Sequence, residues 1–477
     1  MTVGLGNPMT LLSRRAALQQ TAGLAASAML GKKAWAAAAA TGWESVPGIL
    51  SRIKPPEFPK RDFDVTQFGA VADGVKDSTD AIAQAIARCN QAGGGRVVIP
   101  PGFFATGPVH LKSNVELHLS PDATLKFLRD PSRYLPVVYT RWEGTECLNY
   151  SPFIYAYEQD NIAITGTGTL DGQADCEHWW PWKGHRDCGW SNGQPSQENA
   201  RNALMQMGER DAPLADRKFG EGHFLRPSFI QPVRGKNILI QGVTIVNSPM
   251  FEINPVMCSN LTVRDVKIAS HGPNNDGCDP DSCVDMLIEN CVFDTGDDCI
   301  AIKSGRNRDG RRLASPSENI VIRNCRMKDG HGGVTIGSEM SGGVRNVFAE
   351  RCMMDSPHLN QALRFKTNAM RGGTIENVFV RNITIGEIAD AILHIDFNYE
   401  EGPKGPEHPL VRNIDVRDVT CRNAKYAIFA RGFRDAPIQD VRVGNCTFEH
   451  VSEANVIDNV RDFRLDAVTI NGKRVNV

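Results

Sequence analysis

The chain lacks a surplus of either charge: 53 Lys and Arg stand against 55 Asp and Glu in 477 residues, a formal net of −2. A dedicated nucleic-acid binder carries a basic excess, so that class is disfavoured. The 13 cysteines are odd in number, which leaves at least one unpaired and argues against a dense disulfide scaffold. No His/Cys spacing has the form of a zinc site, because Cys258, Cys278 and Cys283 lack paired histidines. No run of helical periodicity separates the strand-like segments from Asn237 onward, which argues against βαβ folding. What is present, 41% hydrophobic and 23% charged residues with 44 Gly and 27 Pro, excludes a disordered chain, a coiled coil and a collagen-like fibre. The length accommodates several domains or one long solenoid.

The first acidic residue is Glu44, and before it lie Arg14, Arg15, Lys32 and Lys33 around a small, mildly apolar stretch from Ala16 to Leu30. Ser13-Arg14-Arg15-Ala16-Ala17-Leu18 looks like a twin-arginine export signal, and Ala34-Trp35-Ala36 offers a peptidase small residues. The apolar stretch, with Gln19 and Gln20, is too short and polar for a membrane span of about 20 residues. Residues 1–40 are therefore expected to be signal and linker, residues 41–477 one domain, and the destination periplasmic or extracellular. Cleavage after Ala36 leaves 49 basic against 55 acidic residues, a net of −6.

From Asn237 onward one pattern recurs: Asn or Asp, alternating apolar positions, a Gly/Asn/Asp step, then another apolar residue. Asn237 to Ile245, Asn260 to Ile268 and Asp285 to Phe293 show it, with later copies starting at Asn319, Asn346, Asn377, Asn413, Asp440 and Asp462. The starts lie 22 to 36 residues apart, a period that indicates stacked coils. Alternation of period two puts Ile238, Ile240, Val243 and Ile245 on one inner face. A parallel β-helix with an all-β coil satisfies this pattern, with the Asn/Asp column as a polar ladder at a turn. Cys291, Cys325, Cys352 and Cys446 share the seventh position with Val and Ile, and read as core. Cys176 with Cys188, and Cys278 with Cys283, lie in predicted loops where disulfides could form. A capped amphipathic helix near 77–91, with Ile82, Ala85, Ile86 and Cys89 on one side, is expected to plug the N-terminal end.

The chemistry concentrates in 271–305. Asp276 precedes the Asp297-Asp298 pair by 21 residues, about one coil, so the three carboxylates can lie side by side. Crowding them without a cation raises at least one pKa, which suits acid/base hydrolysis of a glycoside. Neighbours on a regular strand face opposite sides, so Gly296 is expected to bend the chain and re-aim one acid. Gly330-His331-Gly332-Gly333 follows one coil later, and Arg364 and Lys366 alternate around Phe365 one coil beyond. A guanidinium and an ammonium beside carboxylates can orient an anionic sugar.

These motifs, Asn-Asn-Asp-Gly, Gly-Asp-Asp-Cys, Gly-His-Gly and Arg-Phe-Lys, resemble the polygalacturonases of glycoside hydrolase family 28. The likeness starts at Phe68-Gly69-Ala70-Val71-Ala72-Asp73-Gly74 and runs to the last repeats; Asn275 and Phe365 depart from the usual motifs. It implies a right-handed, single-stranded, pectin-lyase-like parallel β-helix and inverting hydrolysis of α-linked galacturonic acid without metal or cofactor. Carried over by position, Asp297 is the general acid, Asp276 and Asp298 activate water, and His331 supports the acid or substrate. Arg364 and Lys366 hold the sugar carboxylate, Asn274 orients its neighbours, and Tyr399 is a cleft tyrosine. The implied partner is a pectic polysaccharide or oligogalacturonide, bound by a monomer that engages neither nucleic acid nor, after signal removal, membrane.

Residues 171–226 interrupt the repeats and carry Trp179, Trp180, Trp182 and Trp190. Such a loop can wall off one end of a groove and restrict cleavage to chain ends; packed structural tryptophans are the alternative. Asn149-Tyr150-Ser151-Pro152 and Ser270-His271-Gly272-Pro273 also resemble exo-acting bacterial members. Rival readings are a rhamnogalacturonan or xylogalacturonan hydrolase, a polysaccharide lyase with an Arg or Lys base and calcium, and a non-catalytic carbohydrate-binding β-helix.

Overall fold

A computed structural model describes residues 42–475, so the export signal expected over residues 1–40 lies outside the described residues. The chain divides into two units meeting between Ser45 and Val46. Of the first, the described part is Gly42–Ser45, with one 3-10 turn at Trp43–Ser45. The second, from Val46, holds every other described element.

Within that second unit the strands stack in parallel, coil upon coil, as the repeats require. Ile238 pairs with Leu261, Leu261 with Met286, Met286 with Ile320, and Ile320 with Val347. The same ladder continues through Val378, Ile414, Val441 and Phe463. The architecture is a parallel β-helix. Its seventh-position column is core: Val243, Val266, Cys291, Cys325, Cys352, Ile383, Val419, Cys446 and Val468 are all buried.

The Asn/Asp ladder has a backbone cause. Asn237, Asn260, Asp285, Asn319, Asn346, Asn377, Asn413, Asp440 and Asp462 all have φ between 50° and 60°, the left-handed region that Asn and Asp tolerate. Their side chains then bond along the stack. Asn260 Nδ2 donates to Asn237 Oδ1 at 2.6 Å, Asn346 to Asn319 at 3.0 Å, and Asn413 to Asn377 at 2.7 Å.

The predicted plug spans Thr79–Gln91, and Ile82, Ala85, Ile86 and Cys89 are buried on its inner face. Asp77 Oδ1 accepts from the Thr79 amide at 2.9 Å and opens the helix. At the other end, Val460–Ile470 turns back on Lys473–Val475 in an antiparallel hairpin.

Two expectations change. Cys176 and Cys188 form a disulfide, but Cys278 and Cys283 are free, buried thiols. Both face the core: Cys278 pairs through its backbone between Ile253 and Ile300, and Cys283 Sγ lies 3.2 Å from the Pro255 carbonyl oxygen. Isolated parallel bridges at Cys278 and Asp281 tie the segment between them to the coils on either side, so both cysteines are core residues. The 171–226 interruption also contains an unforeseen helix, Glu198–Glu209. Its narrow stripe of Ala200, Leu204 and Gly208 is buried, and the first two join a satellite core with Trp142, Cys147, Phe219 and Met250.

Candidate active site

One wall of the β-helix carries the chemistry. Its inward column runs Ile253, Cys278, Ile300, Val334, Leu363, Leu393, each paired with the next. Positions one and three residues further along point outward. That rule places Arg364 and Lys366 outside while Phe365 packs in the core, as the alternation predicts. It also places Lys303 outward, beneath the acids.

Asp297 and Asp298 sit just before this wall, in the bend that Gly296 opens ahead of the strand Ile300–Ile302, and Asp276 sits just before Cys278 on the preceding coil. Carboxylate oxygens of the three lie within 4.8 Å of one another. The bend re-aims the pair: Asp297 lines an open cavity, whereas Asp298 is fully buried. Gly332 makes the burial possible, since a Cβ there would lie 2.1 Å from Thr335 Oγ1 and 2.8 Å from Asp298 Oδ1. Through that gap Asp298 accepts from Lys366 Nζ at 2.6 Å, Arg364 at 3.0 Å and Thr335 Oγ1 at 3.0 Å. Asp297 accepts from His331 Nδ1 at 2.8 Å and from Asn274 Nδ2 at 3.5 Å.

The three acids differ in proton affinity. Burial, and next the charge of Asp297, push Asp276 up to about 7. For Asp297 burial acts the same way, but the His331 hydrogen bond and charge, with Lys366 and Arg364, hold it well below the carboxylate range. Asp298 is likewise lowered, because Lys366 and Arg364 outweigh its burial. The Asp297 hydrogen bond in turn raises His331. Crowding therefore raises one carboxyl as expected, but the raised one in the unliganded site is Asp276 and not the candidate acid Asp297. The trio titrates as a coupled group, and the proton rests on Asp276, a buried member whose one cation, Lys303 at 3.4 Å, is shared with Asp279 and Glu339.

Tyr399 joins the site, its ring 5.4 Å from Lys366 Nζ and 5.9 Å from the Arg364 guanidinium carbon. Asn274 is held by Arg226, a fully buried side chain whose pKa burial lowers to about 10. Arg226 was not foreseen; nor were Lys303 and Glu339. Lys303 Nζ lies 3.4 Å from Asp276, 3.8 Å from Asp279 and 3.4 Å from Glu339. Its alternation with Ile300 and Ile302 was a signal available in the sequence. Lys303, Lys366 and Arg364 put cationic charge against the acid trio, which competes with any divalent cation there.

The 171–226 excursion folds against this cleft. Trp180, Lys183, His185 and Arg201 line the same cavity of about 660 Å³ as Asp276, Asp297 and His331. Trp179 is buried core, as the structural reading of the tryptophans has it, whereas Trp180 lines the cavity. Trp180 docks on the His271-Gly272-Pro273 loop, where a Cβ on Gly272 would lie 2.2 Å from the indole. The Trp180 indole N–H donates to Ser248 O at 2.9 Å. Arg201 pairs with Glu143 at 2.7 Å, and Arg306 with Glu339 at 3.1 Å and Glu400 at 2.9 Å, which pins the loops around Tyr399.

A parallel β-helix with three carboxylates, a histidine and two cations converging on a cleft defines a polysaccharide-cleaving glycoside hydrolase. Residues 216–471 match glycosyl hydrolases family 28, and residues 63–126 match the rhamnogalacturonase A/epimerase, pectate lyase-like group. The chain belongs to glycosyl hydrolases family 28. It is similar to a solved hyperthermoactive exopolygalacturonase from Thermotoga maritima: 43% identical, TM-score 0.89, covering 92% of this chain and 98% of that one. An exo-poly-alpha-D-galacturonosidase of Dickeya chrysanthemi is 25% identical over 86% of this chain and 71% of its own length. A probable polygalacturonase of Vitis vinifera is 28% identical over 82% and 75% respectively.

Proposed function

We propose that the protein is an exo-acting, inverting hydrolase of α-1,4-linked galacturonic acid in polygalacturonate and its oligomers. The observation that carries this reading is the acid trio, with oxygens within 4.8 Å, two of whose members, Asp276 and Asp297, line one cavity with Arg364, Lys366, His331 and the excursion residues. Asp297, the most exposed of the three acids and one of the two that line the cavity, protonates the departing glycosidic oxygen. Asp276 and Asp298 take the proton of the attacking water; Asp276 Oδ1 is buried without a hydrogen-bond partner, an acceptor free for that water. Arg364 and Lys366 hold a sugar carboxylate, His331 supports Asp297, and Asn274 and Tyr399 orient the sugar.

Carboxylates this close fall short of the roughly 6.5–9.5 Å common between the two acids of inverting enzymes. That observation favours a second reading, retention through a covalent intermediate. Against it, both Asp298 oxygens are occupied by Lys366, Arg364 and Thr335, and Asp276 holds the shared proton. Neither is a free nucleophile. Proton NMR of the first product formed decides between them, inversion giving the β-anomer.

The excursion, covering one side of the acids, favours end-cutting. Digestion of polygalacturonate should release monomer or dimer from the start with viscosity falling slowly. Early viscosity collapse would refute exo action, and an ultraviolet-absorbing unsaturated product would mark a lyase. Asp297→Asn should lose at least about a hundredfold in rate. Export rests on the Arg14-Arg15 leader: a reporter fused to residues 1–45 should leave the cytoplasm. A monomer is expected by light scattering.

A further inference from the structure

Among the described residues, every Lys and Arg that lines the cavity except one is already spoken for. Arg364 and Lys366 bind Asp298, Lys303 is surrounded by Asp276, Asp279 and Glu339, His331 binds Asp297, and Arg201 binds Glu143. Lys183 lines the same cavity and, among the described residues, has no carboxylate within ion-pair distance and no hydrogen bond from its ammonium group. The nearest charges that bear on it, Glu143 foremost, are themselves neutralised: Glu143 lies 2.7 Å from Arg201 and 3.6 Å from Arg306. A half-buried ammonium that finds no partner in its own protein has lost hydration without return, unless a ligand supplies the anion.

Its position gives the anion an identity. Lys183 closes the 3-10 turn Trp180–Lys183, within the loop that the Cys176–Cys188 disulfide staples, so the turn is fixed rather than free to sweep. That loop leaves the β-helix between the coils of Thr169–Asp171 and Ile230–Val233, before Asp276. Arg364 and Lys366 lie beyond Asp297, two coils on. Two cationic poles thus flank the acids along the stacking axis, one on each side. A polyuronate crossing the cleft presents one carboxylate per sugar on both sides of the bond being cut.

We infer that Lys183 is a substrate-binding and specificity-determining residue that pairs with the carboxylate of the sugar across the scissile bond from the one held by Arg364 and Lys366. This rests on the galacturonate reading above. The Trp180 indole beside it supplies an apolar face for that sugar. The residue selects an unesterified uronate at the covered end, so a methyl ester or neutral sugar there is disfavoured.

The test uses the full chain, with digalacturonate and its two singly methyl-esterified forms as substrates. Wild type should discriminate against both esters. Lys183→Met and Lys183→Gln should lose roughly tenfold or more in kcat/KM on digalacturonate, the scale of a charge-assisted bond. They should also lose discrimination against one ester only, the other being read by Arg364 and Lys366. Lys183→Arg should restore much of it. Unchanged discrimination against both esters in folded Lys183 variants overturns the inference, folding being checked by circular dichroism. If wild type binds digalacturonate but releases no product, the hydrolase reading falls by itself. Calorimetric binding of the same three compounds to wild type and Lys183→Met then tests Lys183 independently: loss of selectivity against one ester supports its role, and unchanged selectivity overturns it.

Discussion

Replacing Asp276 by Asn should make the protein inactive and, above pH 5, more stable. Its carboxyl is buried, and in the folded chain its pKa stands at about 7 against an ordinary 3.8. A carboxyl raised on folding favours the folded state below its unfolded pKa, and that contribution drains away as pH rises from 3.8 to about 7. The loss is about 1.4 kcal/mol per pH unit near pH 5 and about half that at pH 7, where the folded carboxyl is half ionised, hence about 2.3 kcal/mol between the two. Asn has nearly the same shape and no charge, so the variant does not suffer this loss. The attraction of Lys303, 3.4 Å away, acts on the ionised carboxylate and is already contained in the value of about 7, so it is not subtracted again. The informative quantity is therefore the gap between variant and wild type measured at several pH values, in which titrating groups remote from Asp276 cancel. Thermal melts at pH 5, 6, 7 and 8 should show that gap widening by several degrees up to pH 7 and then levelling. A gap that stays constant, or narrows with rising pH, would refute the assignment of the shared proton to Asp276.

His331→Gln removes the hydrogen bond and charge that hold Asp297 low; kcat/KM should fall about a hundredfold, and its alkaline limb should move to higher pH in a pH–rate profile. Cys176→Ser with Cys188→Ser frees a 12-residue separation whose closure is worth roughly 3 kcal/mol. Limited proteolysis should then cut within residues 176–190 while the main melting transition stays put, and KM for short oligomers should rise. Gly272→Ala sets a methyl group 2.2 Å from the Trp180 indole, an overpacking cost of about 1–3 kcal/mol. Trp180 should leave its site, seen as a red shift in tryptophan fluorescence together with a raised KM.

The fold was legible because each coil repeats its own instructions. An Asn or Asp in the left-handed conformation, alternating apolar residues, then a small core residue such as Cys325 or Val419, form one coil at a time, and stacking multiplies the signal. The acid trio, His331 and the Arg364/Lys366 pair were legible because they sit at fixed offsets from that wall. What escaped depends on contacts between segments far apart in the chain. Arg226 reaches Asn274 across 48 residues and Arg201 reaches Glu143 across 58, with no period to announce them. Cys278 looked like a loop residue because its coil makes isolated bridges instead of a regular strand. The helix Glu198–Glu209 has too narrow an apolar stripe to stand out among polar neighbours.

The ion pairs at rest also explain how an acid held well below its normal range can act as the proton donor on the proposed roles. Lys366 and Arg364 hold Asp298 ionised and, after His331, help to hold Asp297 ionised, and the proton stays on Asp276 because that carboxyl is buried and its neighbour Asp297 is charged. A sugar carboxylate that takes up Lys366 and Arg364 neutralises two of the groups that keep Asp297 acidic and adds a negative charge beside it. Both effects raise the proton affinity of Asp297, and a proton there removes the repulsion that held one on Asp276. The shared proton then moves within the trio, whose oxygens lie within 4.8 Å of one another. Asp276, still next to Lys303, becomes an ionised base at the moment Asp297 becomes an acid. A neutral sugar in the same place would leave the proton on Asp276 and both roles unfilled. Selection of an anionic substrate and preparation of the acid and base are thus the same electrostatic event.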